Sequence, residues 1–376
     1  MKIPFNRPAA VGREAEYMRE ALARGHISGD GEFTRRCQEL LERELPVGTA
    51  LLTTSGTHAL EMAALLLDIA PGDEVIVPDF TFVSTANAFV LRGAKPVFAD
   101  VLPDTLNLDP SALGRLITPR TRAIVPVHYA GIGCDMDAIG RLAAKRGVAV
   151  VEDNAHGLFG RLGGKALGTF GRLAILSFHE TKNFYCGEGG ALLVNDASLR
   201  ERAEIVREKG TNRKRFFRGE VDKYTWMEAG SSWVLSDLLA AFLLGQLEER
   251  DRVLALRRQV FERYAEGLAP WARATGAQLP RIPEGCTSSY HMFHLLLPEP
   301  AARDRLIAAL RARDIQAVFH YVPLHRSEMG KRLAPPGAVF PVTDRASDCL
   351  VRLPFYNSLS EEEQNRVIDA VIETTV

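Results

Sequence analysis

Ala123-Ile124-Val125-Pro126-Val127 and Val148-Ala149-Val150-Val151 are two short apolar runs, and Met136 to Lys145 between them reads as a helix. A strand, a crossover helix and a second strand predict a parallel pair covered by the helix. Working outward, the alternation recurs. Ala50-Leu51-Leu52-Thr53, Glu74-Val75-Ile76-Val77 and Pro96-Val97-Phe98-Ala99 read as strands, and Thr57 to Leu67 and Val83 to Leu91 as helices. Leu173 to Leu176 and Ala191 to Val194 read as two further strands. The pattern predicts an α/β fold with a mostly parallel sheet sandwiched by helices. Ligands in such sheets bind at the carboxyl ends of the strands, so the residues just after each strand carry the chemistry.

The flanks are different. An extended Pro-rich lead precedes a helix from Val11 to about Arg24, the loop Gly25 to Gly31, and a helix from Thr34 to Leu45 stopped by Pro46. After Val194 come a helix Ser198 to Lys209, a basic and aromatic stretch Gly210 to Trp226, and a long helical segment Val234 to Leu268. The end reads strand His291 to Leu297, helix Ala301 to Arg313, strand Ile315 to Phe319 and helix Glu361 to Ile372, an α+β pattern. The expected division is a large domain over 1–250 and a smaller α+β C-terminal domain over 251–376.

With 376 residues, 46% of them hydrophobic, the chain can bury the cores of two domains. A net charge of -1 gives no basic surplus for nucleic acid. The five cysteines lack CxxC spacing, so neither a disulfide nor a zinc framework is expected. With no apolar signal core and no run long enough to span a bilayer, a cytoplasmic protein without membrane contact is expected.

Four strand ends deserve reading together. Thr54-Ser55-Gly56-Thr57-His58 follows the first strand; glycine there lets a ligand approach, and the helix starting at Thr57 offers free N–H groups to a phosphate. Its alternative is an ordinary N-cap. Phe80-Thr81-Phe82 follows the second strand and offers aromatic faces for a planar ring, or simply core packing. Glu152-Asp153-Asn154-Ala155-His156 places an Asp where a carboxylate is costly unless it meets a cation, such as a protonated pyridine nitrogen. Ser177-Phe178-His179-Glu180-Thr181-Lys182-Asn183 holds a lysine between two strands, ahead of Gly187-Glu188-Gly189-Gly190. Burial lowers a lysine's pKa and makes it a Schiff-base nucleophile; a solvated loop lysine is the alternative. A phosphate cradle, an aromatic plate, an Asp and a Schiff-base lysine are together what pyridoxal 5′-phosphate requires.

These motifs also resemble the DegT-like nucleotide-sugar aminotransferases of the fold-type I pyridoxal-phosphate enzymes. The resemblance runs over nearly the whole chain, through His320-Tyr321-Val322-Pro323-Leu324-His325 and Arg352-Leu353-Pro354-Phe355-Tyr356-Asn357. Within the family, Phe178 to Asn183, Arg207 to Arg213 and Phe217 to Trp226 are similar to members that aminate C4 of dTDP-4-dehydro-6-deoxy-D-glucose with L-glutamate. The resemblance implies that Lys182 forms the Schiff base and shuttles the proton, Asp153 pairs with the pyridinium and Phe82 stacks on the ring. It implies that Gly56, Thr57 and the His58 backbone hold the phosphate with help from Ser177, and that His156 sits near the ring hydroxyl. It further implies a homodimer with its sites at the interface.

The sequence departs from the family in two places. Val234 stands where many members carry an Asn that reaches the partner subunit's phosphate, and Ser231 or Ser232 is expected to substitute. The turn Asn183 to Gly187 is about one residue shorter than in close relatives. The loop 213–223, which Arg213 opens and Tyr224 follows, is expected to meet a nucleotide-sugar diphosphate or else to be solvated, and Arg213 and Tyr224 are candidate substrate contacts. His320, Tyr321 and His325 are candidates for the same pocket, with core histidines as the alternative. Lys182 argues against the family's sugar dehydratases, which carry histidine there. The complete Asp153/Lys182 pair argues against a regulatory module without turnover.

Overall fold

The computed structural model describes residues 2–375. Its central sheet has seven strands: β1 (Ala50–Thr53), β2 (Glu74–Pro78), β3 (Lys95–Ala99), β4 (Thr121–Ile124), β5 (Ala149–Asp153), β6 (Leu173–Ser177) and β7 (Gly190–Val194). They lie in the order β1-β7-β6-β5-β4-β2-β3. All pairings among β2 to β6 are parallel, and β7 runs antiparallel to both β6 and β1.

Neighbouring strand residues serve opposite faces, as a two-residue period requires. Leu51, Val75, Val77 and Ala123 enter one core with the helix Gly56–Leu66. Leu52, Ala174 and Leu176 enter another with the helices Glu32–Glu44 and Asp237–Glu248, and Ile76 and Ile124 a third with Met136–Arg146. Burial on both faces is why these strands read as unbroken apolar runs.

A further core gathers Val260, Tyr264, Phe293, Leu306, Val351 and Val371 with Ile3 from the opposite end of the chain. It packs on a small antiparallel pair, His294–Leu296 with Leu350–Arg352.

Three expectations are corrected. The long segment after Val234 is two helices, Asp237–Glu248 and Arg250–Thr275, separated at Glu249, and Ser236 caps the first. No strand forms over 315–319: Asp314 has φ +58, and the segment makes only single bridges, Ile3 with Ile315 and Val318 with Arg352. A helix over Pro110–Leu116, capped by Asp109 on Ser111 N–H with Pro110 in its first turn, was not expected. Among the described residues no helix is long and apolar enough to cross a membrane.

Candidate active site

The hairpin joining β6 to β7 continues beyond its strands. Phe178 N–H donates to Gly189 O (2.8 Å), Cys186 N–H to Phe178 O (3.0 Å) and Glu180 N–H to Gly187 O (3.0 Å). Gly187 turns the chain at φ +89, a left-handed value that favours glycine. Lys182 N–H closes the tip onto His179 O at 2.8 Å. The short turn is thus a closed hairpin that carries the lysine at its end. Lys182 lines a cavity of about 590 Å³ at the carboxyl ends of the parallel strands. Burial draws its pKa down to about 8; Asp153 opposes the shift and Arg352 adds to it.

Asp153 ends β5 and lines the same cavity. Burial pushes its carboxyl up, while hydrogen bonds from Thr85 Oγ1 to Oδ2 (2.7 Å) and from Ala155 N–H to Oδ1 (3.2 Å) hold it down, helped by Lys182. His156 follows on the next turn. Its Nδ1 is buried without a hydrogen-bond partner, and burial beside Lys182 and Arg352 holds the imidazole well below its usual range. His291 stacks on it, ring centroids 4.2 Å apart and planes 15° apart, and binds Asn183 Oδ1 through Nδ1 at 2.8 Å.

The helix Gly56–Leu66 starts at the cavity wall. Ser55 Oγ accepts from His58 N–H at 3.1 Å. That leaves the N–H groups of Gly56 and Thr57, both in the cavity lining, without an intrahelical acceptor. Thr57 Oγ1 and Ser84 Oγ bond each other at 2.8 Å, with Ser177 beside them in the lining. The strand edge behind is tight: a Cβ on Gly190 would lie 2.3 Å from Ser55 C and 2.4 Å from Gly56 N. Phe82, 57% exposed, presents its ring opposite Tyr321, centroids 6.4 Å apart.

The cavity therefore unites Gly56, Thr57, Phe82, Asp153, His156, Ser177, Lys182, His320 and Tyr321. Other candidates lie outside it. The His58 N–H is taken by Ser55, and its ring binds the Thr54 hydroxyl. Ser232 is exposed in a bridge with Glu208. Arg213 pairs with Glu208 at 2.8 Å and covers Phe217, and Tyr224 packs on Phe216. His325 pairs with buried Asp79. The sequence reading missed His291, Glu188 and Phe5 in the lining, and it gave Arg352 no role.

The model of the DegT/DnrJ/EryC1/StrS aminotransferase family matches residues 8–372. The chain belongs to this family. Similar solved structures include the aminotransferase TlmJ from Streptoalloteichus hindustanus, 31% identical at a TM-score of 0.91, covering 99% of this chain and 98% of that one. DesV of S. venezuelae, solved with a ketimine intermediate, is 31% identical at 0.90 with all of both chains covered. The putative sugar aminotransferase Spr1654 from Streptococcus pneumoniae, in its PLP-form, is 26% identical at 0.90, covering 99% and 98%.

Aminotransferases of this family depend on pyridoxal 5′-phosphate. The residues present fit that group: two free helix N–H groups beside hydroxyls for a phosphate, a buried carboxylate, an unpartnered imidazole nitrogen, an aromatic face and a lysine amine whose pKa is drawn down to about 8.

Proposed function

We propose that this aminotransferase moves the amino group of L-glutamate to C4 of dTDP-4-dehydro-6-deoxy-D-glucose, giving dTDP-4-amino-4,6-dideoxy-D-galactose and 2-oxoglutarate for surface-polysaccharide assembly. The observation that carries transamination is a half-buried lysine with its pKa drawn to about 8, sharing one cavity with a buried Asp and a phosphate-ready helix start.

When bound, pyridoxal phosphate supplies the electron sink that makes a carbon-bound proton acidic. Lys182 Nζ removes that proton from the donor's α-carbon and returns one to C4 of the sugar. Asp153, held by Thr85, would supply the negative charge that keeps the ring nitrogen protonated. Gly56 and Thr57 would hold the cofactor's phosphate with Ser177, Phe82 would offer an aromatic face to its ring, and the unpartnered Nδ1 of His156 would be free to hydrogen-bond it.

The choice of sugar is supported by the stretches 178–183, 207–213 and 217–226. The latter two form one surface unit: Thr211 bridges Trp226, and Asn212 Oδ1 accepts from Thr225 N–H at 2.8 Å. We take 1–250 as the cofactor domain and 251–376 as the smaller one, in a cytoplasmic homodimer. The apolar rings of Phe217 and Trp226, 69% and 77% exposed, suit burial against a second copy. There Arg213, Tyr224 and Ser232 would meet the partner's site.

The test is NMR of the product formed from dTDP-4-dehydro-6-deoxy-D-glucose and L-glutamate. A galacto-configured 4-amino sugar is expected; a 3-amino sugar, or turnover only with a different keto sugar, defeats the substrate assignment.

A further inference from the structure

Asp153 is not the only carboxylate at the carboxyl end of the sheet. Asp79 follows β2 directly and is fully buried, with no part yet in the chemistry. A buried carboxylate needs a partner, and this one comes from 246 positions along the chain. Oδ1 accepts from His325 N–H at 2.9 Å, Oδ2 accepts from the ring Nδ1–H of the same residue, and Asp79 O accepts from Leu324 N–H at 3.0 Å. Burial pushes the carboxyl up, the two bonds from His325 oppose that push, and Asp344 adds to it. Beyond the pair, Asp344 lies 3.5 Å from His325 Nε2 and 2.6 Å from Arg326 Nε, and Arg326 reaches Asp348 at 2.9 Å. Phe340 packs on the imidazole, ring centroids 4.9 Å apart.

The pair joins two stretches that meet at the cavity. Directly after Asp79 come Phe80, Thr81 and Phe82. Thr81 bonds Thr85, which holds Asp153, and Phe82 presents its ring to the cavity. Shortly before His325 come His320 and Tyr321, both in the lining. Tyr321 meets Phe80 edge-on at 5.6 Å and Phe82 at 6.4 Å between centroids. Among the described residues, 319–322 make no backbone hydrogen bond. Polar contacts pin this stretch at three places: Val318 in its bridge to Arg352, His320 on the Tyr129 hydroxyl at 2.9 Å, and Leu324 with His325 on Asp79. Of the three, only the last is made to the segment that carries Phe82.

We propose that Asp79 and His325 are a positioning pair, a buckle that fixes Tyr321 against Phe82 and so fixes the aromatic face offered to the cofactor ring. The inference rests on the transamination reading for its effect on rate, not for the bond itself. The imidazole serves through one nitrogen: a donor at Nδ1 reaches Asp79, whereas a donor at Nε2 points to Asp344.

The experiment separates the two ring nitrogens. His325→Asn keeps an amide donor where Nδ1–H stands, and His325→Gln moves the donor out to the place of Nε2. Both lose the imidazole, so a role in packing alone treats them alike. His325→Gln is expected to lower kcat about tenfold in the glutamate and sugar half-reactions alike, with KM moving less than kcat. It should also weaken the visible circular dichroism of the bound cofactor, which reports how firmly the ring is held in its asymmetric site. His325→Asn should keep most of the wild-type rate and dichroism. In the cofactor-free protein the Nδ1–H···Oδ2 bond should give a low-field, exchange-protected proton in the NMR spectrum, and Asp79→Asn should remove it. Asp79→Asn should match His325→Gln in rate and dichroism. Should His325→Gln not fold, the isosteric Asp79→Asn decides by the same readouts. Equal behaviour of the Asn and Gln variants at 325, wild-type dichroism in Asp79→Asn, or absence of the low-field proton from the wild type overturns the proposal. A wild-type enzyme that takes no amino group from any amino acid fails the transamination reading instead, and the proton and the dichroism still decide the buckle.

Discussion

Thr85 donates its hydroxyl proton to Oδ2 of Asp153 at 2.7 Å, and because that proton is spent, the Thr81 hydroxyl 2.9 Å away must be the donor to Thr85. The carboxylate is thus aimed by a two-step relay from a neighbouring loop. Thr85→Val removes a bond that favours the charged form, so Asp153 should protonate at higher pH. The acid limb of the kcat profile is expected to move upward, with about a tenfold loss at neutral pH. An unshifted limb would show that Thr85 serves only packing.

Asp153→Asn keeps the shape of the site and deletes its charge. Turnover should fall at least about 100-fold, while the cofactor-free protein melts near the wild-type temperature. Activity near wild type would falsify the pyridinium role.

Gly190→Ala tests the phosphate cradle without touching a polar group. The added Cβ meets backbone atoms of Ser55 and Gly56, which cannot swing aside as a side chain would. Cofactor retained after dialysis should drop by an order of magnitude or more, about the effect of a misplaced binding group. Full retention would mean the cradle lies elsewhere.

Lys182 gives the cofactor-free protein a pH signature. Its ammonium loses its proton near 8 when folded and near 10.5 when unfolded. Below 8 both states are protonated, and the folded chain bears the cost of the buried charge. Between 8 and 10.5 only the unfolded chain keeps the proton, so stability gains about 3 kcal/mol as pH rises through that window. Lys182→Met lacks this gain and should be the more stable protein at pH 7, with the advantage shrinking by pH 10.5. Urea unfolding of both proteins measures it; a constant difference between them rules out burial as the source of the shift.

The sheet was legible because its strands are buried on both faces, and an apolar run such as Val148–Val151 has no other economical reading. Asp153 and Lys182 were legible for the opposite reason: ionisable residues at the ends of such runs violate burial unless they work. Arg352 was not. Whether an arginine is paired depends on residues brought up by the fold, and nothing around Arg352 in the chain reveals that its buried Nε has no partner. His291 was absorbed into an expected strand for a similar reason, since alternating apolar neighbours hide a side chain that stacks on a distant imidazole. The helix Pro110–Leu116 did leave a signal, Asp109-Pro110, overlooked because the segment is short.

The burial of Ile3 among residues 260–371, with its bridge to Ile315, sets the timetable of synthesis. Ile3 has nothing to dock on until residues 260–371 have followed it. Phe5, in the cavity wall and beneath Arg352, must wait with it. A nascent chain can therefore assemble its sheet and its lysine hairpin while the Phe5 side of the pocket is still unmade, and the cavity is completed only once residues 260–371 have joined it.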